Sequence, residues 1–306
     1  MNDTTNRIDP KAGDEFPSLS EITFRSSADG TSQPALFHAP SAKEPVPLVV
    51  ALHTWLGNYR QKAHPGAAAW CCANGWAYMQ PDFRGSNTRP EACGSQLAVD
   101  DIVSAVDYAR QNASIDANAI FLVGGSGGGH ASLLMAGRHP EIWAGVSSWV
   151  PIFDLKDWHD QNRYRVPLEQ CCGGAPGASA AIDEQYRLRS PRTYLSSSTG
   201  ASVNLSINAG IHDGYTGSVP ISHTLLAFNA VAHPGDRLAA DEIRYFVEEQ
   251  AVPPHLRREI IDPTYGTRQP LFRRASGKAV VTIFEGGHES VDSAVIAWFR
   301  TLRDKQ

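Results

Sequence analysis

The apolar run Ala119-Ile120-Phe121-Leu122-Val123 passes without a break into Gly124-Gly125-Ser126-Gly127-Gly128, and a helix-like segment from His130 to Ala136 follows at once. Only small residues let a buried strand turn so tightly into a packed helix, so this junction sets a strand-turn-helix unit in mid-chain. A Gly-x-Ser-x-Gly at such a junction exposes the serine hydroxyl and aims the helix N-terminus at it, the arrangement of a nucleophile elbow. A phosphate cradle is the competing reading, and it fails on spacing. Counted from Gly125 the sixth position is His130, counted from Gly124 the third is Ser126, and no Gly-Lys-Ser/Thr follows.

Strands and helices alternate around this junction. A hairpin is predicted first, with Glu21-Ile22-Thr23-Phe24-Arg25 and Pro34-Ala35-Leu36-Phe37-His38 flanking the turn signal Asp29-Gly30. Further strands are expected at Pro47 to Leu52, Trp76 to Gln80, Ala144 to Val150, Val203 to Ala209 and Lys278 to Phe284. Helices are expected at Ala63 to Asn74, at Leu97 to Gln111 (Ile102, Val103, Val106 and Ala109 on one face) and at Val291 to Arg303. Such alternation predicts an α/β fold with a mostly parallel sheet covered by helices on both faces. Two stretches break the rhythm, about 151–199 and 232–277. The first offers one helical candidate, Ala180 to Leu188; the second offers Ala239 to Gln250 and a segment around Leu256 to Ile261. Both read as lid or rim insertions in a single domain of 306 residues, where loops set specificity.

Composition narrows the partners. A net charge of −5 without any block of like charge gives no reason to expect nucleic acid or an anionic membrane. No apolar run approaches the ~18 residues needed to span a bilayer. Met1 to Phe16 is polar, so no leader is read there and the expected compartment is the cytoplasm. The cysteines are Cys71, Cys72, Cys93, Cys171 and Cys172; none forms a Cys-x-x-Cys, so no zinc or other metal site is expected. Buried free thiols are the simplest reading, with a bridge from Cys93 to Cys71 or Cys72 as the alternative in an exported protein. Oligomeric state leaves no mark on the sequence.

A serine becomes a nucleophile when a base lies in hydrogen-bond reach and a third group orients that base. Asp213 follows the strand ending at Ala209, and His288 ends Ala279-Val280-Val281-Thr282-Ile283-Phe284-Glu285-Gly286-Gly287-His288. Both therefore fall just past the C-terminal ends of later strands, where an open α/β sheet presents its crevice. Asp241 and Asp262 lie inside the second insertion and fit less well. The oxyanion donors are expected from the backbone N–H of Gly127 and of Thr54 or Trp55, in the loop after the Pro47 to Leu52 strand. Arg84, Arg89, Glu91, Trp158 and Tyr215 fall in rim loops, where they suit a sugar ring or a substrate carboxylate; packing and internal ion pairs are the competing use.

With these residues in place the chain resembles the α/β-hydrolase superfamily, and within it the catalytic domains of the prolyl oligopeptidase-like family. The resemblance spans roughly Pro47 to Phe299. It rests on Leu52-His53-Thr54-Trp55, Pro81-Asp82-Phe83-Arg84-Gly85-Ser86, the serine elbow, Arg189-Ser190-Pro191, Asp213 with Val219-Pro220, and Gly286-Gly287-His288. It implies an α/β-hydrolase fold and a Ser126-Asp213-His288 triad working without a cofactor. His53-Thr54-Trp55 stands where the family more usually has His-Gly-Gly, and 46 residues precede Pro47, too few for the family's β-propeller. Stand-alone relatives are often esterases, including deacetylases of plant polysaccharides. The resemblance therefore implies a carboxylic-ester hydrolase acting on a small-molecule or saccharide ester. A peptidase with the same triad is the alternative, and a non-catalytic binding relative a more distant one.

Overall fold

The computed structural model describes residues 19–161 and 164–305. Met1 to Phe16, on which the reading of a leader rests, lies outside the described residues. The chain opens with a hairpin of β1 (Ser20–Arg25) and β2 (Ser32–His38). Asp29 closes its turn by accepting a hydrogen bond from the Thr31 N–H at 3.0 Å. Next come β3 (Val46–Leu52), α1 (Pro65–Ala73), β4 (Ala77–Pro81), α2 (Gln96–Asn112), β5 (Ile115–Gly125), α3 (Gly127–Arg138) and β6 (Gly145–Trp149). The middle region carries α4 (Leu155–Asp160), α5 (Arg165–Cys172), α6 (Ala180–Arg189) and α7 (Ser197–Ser202). The remainder runs β7 (Leu205–Gly210), α8 (Ser222–Val231), α9 (Ala240–Glu249), β8 (Pro270–Ser276), β9 (Ala279–Phe284) and α10 (Asp292–Arg303).

These strands form one nine-stranded sheet in the order β1-β2-β4-β3-β5-β6-β7-β9-β8. The six strands from β4 to β9 run parallel, and antiparallel partners (β2 and β8) close both sides of that block. Burial explains the composition of the centre. Ile120, Phe121, Leu122 and Val123 are all fully buried, as a parallel strand covered on two faces requires. Each such side chain contributes about 1.5–3 kcal/mol on leaving water. The path from β3 out to β4 and back past β3 to β5 reverses direction. Right-handed crossovers then put α1 and α2 on opposite faces. Accordingly α1 packs on α10, and α2 on α3.

Three expectations need correction. The first insertion is helical through much of its length, because α4 and α5 bury Leu155, Trp158, Leu168, Cys171 and Cys172 in a cluster of their own with Trp55, Cys93, Tyr186 and Val219. A helix around Leu256 to Ile261 does not form. A short turn at Pro254–Leu256 follows Pro253, and Ile261 is 79% exposed, so no apolar face is there to bury. Pro270–Ser276, read as part of the insertion, is an edge strand; it buries Phe272 while Arg273 and Arg274 keep it soluble. All five cysteines are free. Cys71 belongs to the main core and Cys93 packs with Cys171 and Cys172, so neither Cys71 nor Cys72 is its neighbour.

Candidate active site

The parallel strands end on one rim. Leu52 is in register with Gly124, Gly125 with Trp149, and Gly210 with Phe284. The turns that leave those ends therefore meet. At the first of them Ser126 has φ 57° and ψ −116°, a strained backbone for a residue with a side chain, and α3 starts at the next residue. Two close approaches demand glycine here. A Cβ on Gly124 would run into the backbone of Gly128, and one on Gly127 into the backbone N and Cα of Trp55. The Ser126 N–H donates to Trp149 O at 2.9 Å, joining the elbow to the end of β6. There Val150 has φ 44°, a conformation β-branched residues avoid, and so gives sequence reasoning no signal.

Asp213 and His288 lie on the turns after the neighbouring strands β7 and β9. Asp213 is buried, and its carboxylate oxygens both lie 2.9 Å from His288 Nδ1. Its Oδ1 also accepts the backbone N–H of Gly214 at 2.9 Å and of Val219 at 3.3 Å. A carboxylate held this way orients the ring with Nδ1–H toward Asp213 and turns Nε2 away from it. Nε2 lies 3.4 Å from Ser218 Oγ, a neighbour that the sequence did not suggest. Ser126 and His288 line one cavity of about 700 Å³.

In the loop after β3 the two candidate donors, Thr54 and Trp55, differ in their surroundings. The Thr54 N–H donates to Gln61 Oε1 at 2.9 Å, so it is already engaged. The Trp55 N lies against Gly127, the first residue of α3. His53 anchors the loop from below: its Nε2 is 2.7 Å from Asp82 O, and its ring stacks on Phe83 at 3.9 Å. Trp55 packs edge-on against Trp158 at 4.8 Å and against His130 at 5.8 Å, so the second cluster supports the loop from its other side.

None of the five rim candidates lines this cavity. Arg84 is buried and pairs with Asp101 and Asp29, which raise its pKa further. Trp158 is 1% exposed and its indole N–H donates to Ser218 O at 2.8 Å, so no face is open for a sugar ring. Arg89 is exposed and donates to Arg84 O at 2.7 Å; Glu91 and Tyr215 are exposed as well. The walls come instead from the α1 entrance (Ala63, Pro65, Gly66), from Tyr265 to Arg268 of the second insertion, and from Glu289 to Ser293 after the histidine. Of the rival acids, Asp262 caps the turn before β8 and pairs with Arg273 at 2.8 Å.

An elbow serine after β5, an acid after β7 and a histidine after β9 on this sheet define an α/β-hydrolase. The profile of the prolyl oligopeptidase family matches residues 63–244, more than half of the chain. The chain belongs to the prolyl oligopeptidase family, a family of serine hydrolases. It is 26% identical over 188 residues to acylamino-acid-releasing enzyme 1 of Oryza sativa subsp. japonica, covering 55% of this chain and 24% of that protein. Among solved structures, acylaminoacyl peptidase of Pyrococcus horikoshii superposes with a TM-score of 0.61 at 14% identity, over 94% of this chain and 41% of that one. A putative dipeptidyl aminopeptidase IV from Bacteroides ovatus gives 0.60 at 16% identity, over 97% and 36%. At these identities the structures attest the fold, and the chain spans less than half the length of each of these relatives.

Proposed function

We propose that the chain is a serine peptidase domain that cleaves amide bonds of acylated peptides, with Ser126, His288 and Asp213 as its triad. The observation that carries this is the Asp213 carboxylate 2.9 Å from His288 Nδ1, with His288 and Ser126 on one cavity. Ser126 Oγ attacks the carbonyl carbon while His288 Nε2 takes its proton, and Asp213 stabilises the imidazolium so formed. The N–H groups of Gly127 and Trp55 hold the oxyanion. His288 returns the proton to the leaving nitrogen, and water then releases the acyl group by the same steps in reverse roles. Apo enzymes often hold the serine and base apart until substrate binds, so the Ser218 contact at Nε2 fits a resting state.

Family membership and the likeness to an acylamino-acid-releasing enzyme favour amides over esters. An acyl-enzyme also accepts esters, so the test sets N-acetyl-aminoacyl anilides against matched esters, with fluorophosphonate labelling of Ser126. Ser126→Ala is expected to lower kcat by about 10⁶-fold and to abolish labelling. Undiminished turnover in that variant would remove the triad assignment. Ester cleavage without any amide cleavage would replace the peptidase reading with an esterase.

A further inference from the structure

Besides His288, the cavity beside Ser126 carries three charged side chains, Arg268, Glu289 and Asp292. The two carboxylates are already engaged. Asp292 Oδ1 is 2.9 Å from His64 Nδ1, and its Oδ2 accepts the N–H groups of Gly66 at 2.8 Å and Ala67 at 3.3 Å. Glu289 Oε1 accepts the Gly287 N–H at 3.2 Å, and its Oε2 accepts from Arg268 Nε at 3.1 Å. Arg268 differs. Glu289 engages only its Nε, and the two Nη nitrogens make no hydrogen bond among the described residues. The side chain is 46% exposed. Although the carboxylates outnumber the guanidinium, the charged donors still open in this cavity are cationic, and a guanidinium fork takes a carboxylate in two parallel hydrogen bonds.

Its place also selects which end of a substrate it meets. Glu289 follows His288 directly in the chain and holds Arg268, so the guanidinium is tied to the turn that carries the histidine and lines the same cavity. The leaving nitrogen takes its proton from His288 and departs on that side. Trp55 and Trp158, by contrast, are packed into the second cluster and line no part of this cavity. Building on the peptidase reading, we infer that Arg268 is a specificity residue that receives a carboxylate of the leaving peptide. That carboxylate is either the free C-terminus of a short substrate or an acidic side chain.

The test compares N-acetylated tripeptides ending in a free carboxylate with the same peptides as C-terminal amides, and amides carrying Glu with those carrying Gln after the scissile bond. Wild type and Arg268→Gln are assayed, with 4-nitrophenyl acetate as an uncharged control. Wild type is expected to favour the carboxylate by about tenfold in kcat/KM, mainly through KM. The variant is expected to cleave both forms at the amide's efficiency while keeping its turnover of the control ester. The free-acid and the Glu comparisons tell which carboxylate is read. A preference that is absent in wild type, or that survives in Arg268→Gln, overturns the inference. So does one gained by N-succinyl over N-acetyl, because that places the carboxylate on the acyl side. Absence of any Ser126-dependent peptide cleavage would instead bring down the peptidase reading itself.

Discussion

Gly127 combines two duties that no other residue type can hold together. It starts α3 directly after the serine, and it lets the Trp55 backbone approach where a Cβ would stand. Gly127→Ala is therefore expected to fold, with the oxyanion loop displaced. Loss of one donor lowers kcat by about 10²–10³-fold. Steady-state kinetics on the best anilide would check this, and a variant within twofold of wild type would mean that the donors lie elsewhere. Residues of this kind were legible because strand ends and turn glycines show in the pattern: Ser126, Asp213 and His288 each follow an apolar run and sit beside glycine. Arg84 and Trp158 were not, since neither charge nor aromaticity says whether a side chain faces water or a buried partner. Arg268 was hidden for a related reason. Among the described residues its side chain is held to the site by Glu289, 21 residues away in the chain.

Among the elements, the cluster formed by α4 and α5 stands apart from the main core and reaches the surroundings of the serine through Trp55. Trp158 is its largest fully buried member, with Tyr164 stacked on it at 5.0 Å and Trp55 edge-on. Trp158→Ala is expected to lower stability by about 3–5 kcal/mol. It should also slow turnover, because the Trp55 loop loses its support. Urea unfolding read beside kcat would separate the two effects, and unchanged stability would mean that the cluster is not cooperative with the rest. The helices of this region escaped sequence reading because α4 has six residues and α5 eight, too short for an apolar period to declare itself. The strand β8 escaped for the opposite reason: the consecutive Arg273 and Arg274 break the apolar pattern, and its place is set by pairing with β9.

At the scale of the whole molecule, two fully buried histidines set a pH limit on folding. His130, on α3, and His223, on α8, both have a pKa lowered to about 4, chiefly because burial penalises the charged ring. His130 Nε2–H donates to Arg189 O at 2.7 Å, and His223 Nδ1 accepts the Phe153 N–H at 3.1 Å, so the neutral rings are the ones built in. In the unfolded chain each titrates near 6.5. Above that value both states are neutral and the contribution is fully present. As pH falls from about 6.5 toward 4, the unfolded chain binds protons that the folded one excludes, and stability drops by about 1.4 kcal/mol per pH unit for each histidine. Urea midpoints from pH 7 to 4.5 should show this slope, and His223→Asn should reduce it. A flat profile in wild type would contradict it.

The neighbouring positions of β7 and β9 have a consequence for how such a chain can change. Asp213 and His288 are 75 residues apart in sequence, yet adjacent strands carry them. Everything between leaves one turn and returns beside the next, with β8 added on the outside. Length gained or lost in that excursion need not alter the distance between the acid and the base. The same excursion delivers Tyr265 to Arg268 to the cavity wall. The stretch thus behaves as an exchangeable cassette, through which a lineage, or an engineer, can retune selectivity while the bond-breaking residues keep their positions.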